Sequence, residues 1–168
     1  MLAGEPRNLA EFRRGLPPRI AERVIGTVAG ARHEPADVIV ARAGALLGDV
    51  EGQREAEEVD ALLTAAAKSG KAAVGCDAVL EGVNRGAVHR LYLLKGFSEP
   101  GRLCTGCGVL LRGFGWSCRL CEKETRVVEL GEVLTERVVA SGGTVETVEI
   151  HQALAGAGGV AAQLRYPL

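Results

Sequence analysis

Hydrophobic and polar positions in the latter part of the chain follow the periods of buried helices and strands. A helix is predicted from about residue 56 to Gly70, because glycine suits the position after a helix end. Its apolar positions are Val59, Leu62, Leu63, Ala66 and Ala67. Residues 71–75 are apolar and strand-like, and Asp77 can cap a second helix that closes at Gly86.

Residues 88–94 form a nearly continuous apolar run, as expected of a strand with helices on both faces. With the preceding strand and helix it makes a strand–helix–strand unit, to which the right-handed crossover rule applies. A later helix, ended by Gly142 and Gly143, has apolar positions at Leu130, Val133, Leu134, Val138 and Val139. Strands over 144–150 and 160–166, separated by a short helix or loop, complete a predicted α/β sandwich over residues 56–168.

Residues 1–55 differ from the rest of the chain in composition, with scattered arginines and with prolines at 17, 18 and 35. Pro18 suits the first turn of a helix whose apolar positions are Ile20, Val24 and Val28. Another helix is predicted after Pro35, and the polar stretch 53–58 can join it or the next helix. Its apolar positions are Val38, Ile39, Ala43, Leu46 and Leu47. This helical extension has no predicted sheet and too few helices to bury both faces, so it needs a partner.

The composition fits a folded cytoplasmic protein. Hydrophobic residues make up 47% of the 168 residues, enough for a buried core, and 4% are aromatic. The formal net charge of -1 argues against a general nucleic-acid coat, since phosphate binding needs a basic excess; any RNA contact must be local. No apolar run approaches the roughly 20 residues that span a bilayer, and the charged N-terminus is unlike a signal peptide.

Four of the five cysteines form two C-x2-C pairs, Cys104 with Cys107 and Cys118 with Cys121. Each pair can turn around one side of a tetrahedral ion. A segment too small to form its own hydrophobic core needs a bound ion of this kind to stabilise its fold. The spacing predicts a structural Zn²⁺ site with four thiolates and no open position for a substrate. Two redox-active thiol pairs, or reduced cysteines without a metal, are the alternatives.

Glycines distinguish the two pairs. Gly106 and Gly108 can relieve the tight backbone of the first pair, whereas Leu120 and Glu122 give the second pair no such relief. The remaining cysteine, Cys76, is expected to be a small buried residue and not a fifth ligand.

Two aromatic residues flanked by glycines, Phe114 and Trp116, lie between the cysteine pairs. With Arg112 and Arg119 they can bind a partner, by stacking on a base or by inserting into a protein surface. The simpler expectation, which we favour on the sequence, is that both rings pack under the cysteine pairs and support them.

No combination of residues predicts catalysis or a small-molecule substrate. His33, His89 and His151 are scattered without a paired nucleophile, so each is expected at the surface or satisfied within the fold. The acidic run over residues 49–60 is typical of a solvated helix face, with a partner-binding face as the alternative. The glycine-rich residues 156–159 precede a strand and not a helix, which favours a turn over a phosphate cradle. We therefore predict a non-enzymatic protein.

The order of elements resembles the third, C-terminal domain of the archaeo-eukaryotic class I peptide-chain release factors and their bacterial relatives. The likeness rests on residues 76–88 (CDAVLEGVNRGAV), on the position of the cysteines after the second strand, and on residues 156–166 (GAGGVAAQLRY). Residues 8–50, with the motif LPPR at 16–19, resemble the helical tail of the preceding domain. The resemblance therefore covers nearly the whole chain.

The resemblance implies a three-layer α/β/α sandwich, the fold of the kink-turn-binding ribosomal proteins. Residues 56–168 would form it with a zinc-ribbon insertion at 97–124, and residues 1–55 would be the tail of a preceding domain. It also implies a factor of the bacterial branch that binds the ribosome, through rRNA or a ribosomal protein, and a translational GTPase.

Two departures from the family limit what carries over. The family's Gly-Gly-Gln loop is missing, because Thr144 follows one Gly-Gly pair and Val160 follows the other. At the positions that match the family's kink-turn-binding turn, Gly75, Asp77, Ala78 and Glu81, two acidic residues would repel phosphate.

Three functions remain open on the sequence. The first is a non-catalytic translation-factor module, part of a release, rescue or hibernation factor. The second is a stand-alone zinc-ribbon RNA-binding protein, and the third is a thiol redox sensor.

Overall fold

A computed structural model describes the backbone of residues 1–168 and the side chains of residues 1–66 and 70–168. The predicted core position at Ala67 lies outside these described side chains. The chain divides into two compact units, Met1–Arg54 and Glu55–Leu168.

The first unit contains a small parallel sheet, so the prediction of helices without a sheet is wrong. β1 (Leu2–Gly4) pairs with β2 (Thr27–Ala29), and α1 (Pro6–Gly15) and α2 (Pro18–Ala21) lie between them in sequence. The helix predicted from Pro18 ends after one turn, and Val28 is a buried strand residue. Gly26 permits this path: a Cβ there would lie 2.7 Å from the Leu46 side chain.

α3 (Ala36–Ser69) is one helix of 34 residues where two were predicted. It begins directly after Pro35, as predicted. The polar residues 53–58 continue the helix because they are glutamine, arginine, alanine and glutamates, which are all good helix formers. Among the described residues, no helix combines the length and the apolar character needed to cross a membrane.

The second unit consists of the end of α3, a four-stranded mixed sheet, three further helices and a separate three-stranded sheet. The elements after α3 are β3 (Ala72–Val74), α4 (Cys76–Asn84), β4 (Val88–Leu94), β5 (Pro100–Cys104), β6 (Leu110–Arg112), β7 (Thr125–Glu129), α5 (Leu130–Ala140), β8 (Thr144–Val148), α6 (Gln152–Gly156) and β9 (Val160–Leu164). The larger sheet has the order β3-β9-β4-β8. β9 is antiparallel to both of its neighbours, and β8 is parallel to β4. The strands β3 and β4 of the predicted strand–helix–strand unit therefore run parallel with β9 between them.

Alternate residues of the central strands point into two different cores, which confirms the three-layer α/β/α sandwich. Leu91 and Leu93 of β4 join the core that contains α4 and α5. Tyr92, between them, packs with Val59 of α3 and Leu154 of α6 on the other face. Helices thus cover both faces of the sheet, the environment that the continuous apolar run of β4 predicts.

Helix α4 begins two residues earlier than a cap at Asp77 predicts. It starts at Cys76 after Gly75, whose φ of +82° favours glycine, and no side chain caps it. Asp77 therefore lies in the first turn and is not the N-cap. Gly86, with φ +65°, follows the helix end as predicted.

Candidate metal centre and partner-binding ribbon

The cysteine-rich segment forms a three-stranded antiparallel sheet of order β6-β5-β7, here called the ribbon (residues 100–129). It is inserted between β4 and α5 of the sandwich. Leu110 and Val128 of the ribbon belong to the core under α4 and α5. The Asn84 amide of α4 also donates to the Leu110 carbonyl and accepts from the Leu110 N–H, both at 2.8 Å. These contacts hold the ribbon against the sandwich.

The four paired cysteines converge at one end of the ribbon. Their sulfur atoms all lie within 4.8 Å of one another, so they could hold a metal ion. Cys104 Sγ is 3.4 Å from Cys121 Sγ, and Cys107 Sγ is 3.7 Å from Cys118 Sγ. Sulfurs bound at 2.3 Å to one tetrahedral zinc ion lie about 3.8 Å apart, which these separations resemble. None of the four forms a disulfide.

Each cysteine pair folds into a tight turn that directs backbone N–H groups at sulfur. The N–H groups of Gly106 and Cys107 donate to Cys104 Sγ at 3.3 and 3.4 Å. In the second turn the N–H of Leu120 donates to Cys118 Sγ at 3.4 Å. Such donors stabilise negative charge on a thiolate ligand and orient it toward a cation.

The two thiols of the first pair have pKa values shifted in opposite directions. Hydrogen bonds from the N–H groups of Cys107 and Gly106 lower the pKa of Cys104 to about 6, in spite of desolvation. A hydrogen bond from the Val109 N–H lowers the pKa of Cys107, but desolvation and the three neighbouring thiols together outweigh it and raise this pKa to about 12. Four thiolates this close repel one another, so all four ionise together only if a bound cation neutralises them.

Cys76 is buried and lies outside this group, in line with its predicted role. It opens α4 with only 5% of its surface exposed. Burial raises the pKa of its thiol to about 11. A thiol of this kind stays protonated and packs as a small hydrophobic residue.

The two aromatic residues of the ribbon do not pack beneath the cysteines. Phe114 is 78% exposed and Trp116 is 91% exposed. The expectation that they support the cysteine turns is therefore wrong. Leu120, in the second cysteine turn, is also 74% exposed. Surface rings of this size are typical of sites that contact another molecule.

The two predicted partner-binding arginines differ in their surroundings. Arg112 pairs with Glu99 at 2.5 Å and with Asp77 of α4 at 3.3 Å, which compensates its charge. Arg119 is exposed and has no hydrogen bond or ion pair with any residue whose side chain is described. Of the two, Arg119 has the free charge.

A third arginine, Arg102, organises the aromatic loop, and sequence reasoning missed it. It is only 5% exposed and donates to the carbonyl oxygens of Gly113 at 3.1 Å and Ser117 at 3.2 Å. A Cβ on Gly115 would lie 2.5 Å from its Nη1 atom. Leu103, the next residue of β5, packs against the sandwich core, so Arg102 lies on the opposite face of the strand, and no sequence pattern marks an arginine there as buried.

The remaining predicted features are structural or exposed. His33 and His89 are exposed. His151 is nearly buried and caps α6, because its Nδ1 accepts from the Leu154 N–H at 3.1 Å. In the acidic run, Glu58 pairs with Arg90 of β4 at 2.9 Å. The glycine-rich residues 156–159 end α6 and turn into β9, as predicted.

No protein-family model matches the sequence, and no curated protein matches it. Solved structures do match the fold. The C-terminal domain of a peptide chain release factor from Methanosarcina mazei is 24% identical with a TM-score of 0.56, over 82% of this chain and 99% of that domain. Dom34 from S. cerevisiae, a translation termination-like factor involved in RNA quality control pathways and interacting with Hbs1, is 16% identical with a TM-score of 0.57.

A third match is archaeal Pelota in a model of ribosome-bound Pelota and ABCE1, 23% identical with a TM-score of 0.55. The alignments with Dom34 and Pelota cover 99% of this chain but 46% and 43% of those proteins, so this chain spans less than half of their length. At these identities the likeness establishes the fold. The chain has the fold of the C-terminal domain of the archaeal and eukaryotic release factors, Pelota and Dom34.

Proposed function

We propose that the chain is a non-catalytic module of a translation factor that binds the ribosome, a translational GTPase, or both. The observation that carries this proposal is the position of the ribbon, which interrupts a release-factor-like sandwich between β4 and α5. Dom34 interacts with Hbs1, and archaeal Pelota occurs bound to the ribosome together with ABCE1. The same kinds of partner are proposed here, in a release, rescue or hibernation factor of the bacterial branch.

In this proposal the ion is structural Zn²⁺, held by Cys104, Cys107, Cys118 and Cys121. Four sulfur ligands suit zinc, and a site with four protein ligands leaves no position for a substrate. The ribbon has only a few buried apolar residues, so the ion would supply much of its stability. Metal analysis of protein purified without chelators should find one zinc ion per chain; a consistently metal-free protein would exclude the site.

Residues 1–55 are proposed to be the tail of a preceding domain. Their sheet has two strands of three residues each, which is too small to be stable alone. Phe12, Ile20 and Val40 each expose more than half of their surface there. An additional domain encoded in frame upstream is expected, and an upstream stop codon close to the first codon would exclude it.

The proposed contact surface is the exposed tip of the ribbon, with Phe114, Trp116, Leu120 and Arg119. Exposed aromatic and arginine side chains contribute disproportionately to binding energy. The tip is fixed to the sandwich through the core residues of the ribbon, so it presents these side chains on a rigid base.

Co-sedimentation with purified ribosomes at low salt tests the proposal. The zinc-loaded protein should pellet with ribosomes, and Trp116→Ala should reduce the pelleted fraction. Ile150→Ala is a matched control, because Ile150 is 90% exposed but lies outside the ribbon. Absence of the wild-type protein from the ribosomal pellet, and failure to capture a translational GTPase, would together overturn the proposal.

A further inference from the structure

A groove with an arginine-rich lining lies along the junction of α4 and the ribbon. Its volume is about 820 Å³, and Arg85, Arg102, Arg112, Arg119 and Arg137 all line it. Two acidic residues, Asp77 and Glu81, lie on the α4 side. Such a concentration of arginine is unexpected in a chain whose formal net charge is -1. A local basic surface of this kind favours an anionic ligand.

The two carboxylates do not neutralise the groove. Asp77 pairs with Arg112, which also pairs with Glu99, and Glu81 pairs with Arg85 at 2.6 Å. Three arginines remain without an acidic partner among the described side chains.

These three arginines keep their full charge. Arg102 donates only to main-chain carbonyls, and Arg137 donates to the carbonyl of Gly108. Arg119 has neither kind of partner among the described residues. A hydrogen bond to a carbonyl orients a guanidinium but does not cancel its charge. Arg119 and Arg137 can therefore contact an anion directly, whereas the buried Arg102 adds a fixed positive charge behind the groove.

The exposed aromatic residues belong to a loop that is held by a residue of this groove. Phe114 and Trp116 belong to the loop whose Gly113 and Ser117 carbonyls are bound by Arg102, a lining residue. Arginines beside exposed rings are the combination that binds single-stranded nucleic acid, since guanidiniums contact phosphates while rings stack on bases. An acidic peptide would satisfy the arginines but would leave the two rings without a matching partner.

We propose that this groove binds a single-stranded RNA segment, with phosphates at Arg119 and Arg137 and bases on Phe114 and Trp116. This inference rests on the proposed ribosomal role, which makes rRNA the available ligand. It also removes Arg112 from the residues expected to contact the partner, because Arg112 is held by two carboxylates and contributes little to phosphate binding.

Fluorescence anisotropy with a labelled single-stranded RNA of about 12 nucleotides tests the inference on the zinc-loaded chain. Arg119→Ala should weaken binding at least about five-fold at low salt and reduce the slope of log affinity against log salt by about 0.7, the loss of one phosphate contact. Trp116→Ala should weaken binding at least about five-fold through lost stacking. Arg126→Ala is the matched control, because Arg126 is an exposed arginine of β7 that does not line the groove.

The same variants in ribosome co-sedimentation separate this inference from the proposed function. RNA affinity that Arg119→Ala lowers and Arg126→Ala leaves unchanged supports the groove, even if ribosomes are not bound. Ribosome binding that Arg119→Ala does not change, together with no RNA affinity, overturns the groove and leaves the proposed function standing. Ribosome binding lost in Arg119→Ala without any RNA affinity would identify an acidic ribosomal protein as the ligand and would also overturn the inference.

Discussion

Gly108 and Glu122 occupy equivalent positions in the two cysteine turns, and both have left-handed backbone conformations. Their φ angles are +72° and +59°. Each follows the second cysteine of its pair and donates its N–H to the carbonyl of the first, Gly108 to Cys104 at 3.1 Å and Glu122 to Cys118 at 3.0 Å. The second turn therefore adopts the glycine conformation with a residue for which it is unfavourable.

Replacing Glu122 with glycine should therefore stabilise the ribbon. The gain expected is about 0.5–1 kcal/mol, since the relief of the left-handed conformation exceeds the added chain entropy. Chemical denaturation of the zinc-loaded protein measures this change in the free energy of unfolding. Glu124→Gly, two residues further on in an extended conformation, should destabilise by roughly 0.5–1 kcal/mol instead. Equal effects of the two substitutions would show that the conformation of Glu122 is not strained.

Arg102→Lys should loosen the aromatic loop. Lysine cannot donate to the Gly113 and Ser117 carbonyls in the forked geometry of arginine, and the expected loss is about 1–3 kcal/mol. Hydrogen exchange of residues 113–117 should accelerate, with the sandwich unchanged. Arg126→Lys, at an exposed position of β7, should stay within about 0.5 kcal/mol of the wild type. Unchanged exchange in Arg102→Lys would mean that the two hydrogen bonds do not hold the loop.

Trp116 is the only tryptophan of the chain, so its fluorescence reports directly on the ribbon tip. Because it is 91% exposed, acrylamide should quench the folded protein nearly as strongly as the protein in guanidinium chloride. Saturation with ribosomes should then protect the Trp116 fluorescence from acrylamide quenching. Strong protection in the isolated folded protein would instead place the ring in a buried site.

Glu129 links the ribbon to α5, and its charge should make the stability of the protein depend on pH. Although burial raises its pKa, hydrogen bonds from the N–H groups of Glu132, Gly131 and Glu99 outweigh this and leave the pKa below its ordinary value. A lowered pKa in the folded state stabilises the protein above the ordinary carboxyl range, and this stabilisation disappears as the pH falls through the folded pKa.

Glu129→Gln should accordingly cost about 0.5–1 kcal/mol at neutral pH and almost nothing once the carboxyl is protonated in acid. Urea denaturation at several pH values gives this comparison. Glu136→Gln, at an exposed position on α5, is the control and should show no such dependence. A cost that stays the same in acid would show that the charge of Glu129 is not involved.

The sequence was most informative where an element has a strong periodic pattern. The continuous apolar run of β4 predicted a strand buried on both faces, and Leu91 and Tyr92 indeed face different cores. The spacing of the cysteines predicted that their sulfur atoms converge. The two strands of the first unit have only three residues each, so neither shows a pattern that could distinguish a strand from a helix.

Other features depend on tertiary contacts that no local pattern in a single sequence predicts. Trp116 is exposed on a loop whose backbone is held by Arg102, and no spacing rule connects these two positions. Glu122 has a left-handed conformation without the glycine that normally marks one. The continuity of α3 was missed because a polar stretch was interpreted as a possible boundary, although it contains no helix-breaking residue.

The most direct test of the account is a ribosome-binding titration of the zinc-loaded chain and of the same chain after removal of the metal. The account predicts saturable binding by the loaded protein and binding weakened by about ten-fold or more without the ion, since the ribbon then loses its defined structure. Circular dichroism should show that the sandwich remains folded in both samples. A loaded protein that shows no saturable binding to ribosomes and also captures no translational GTPase would contradict the proposed role in translation.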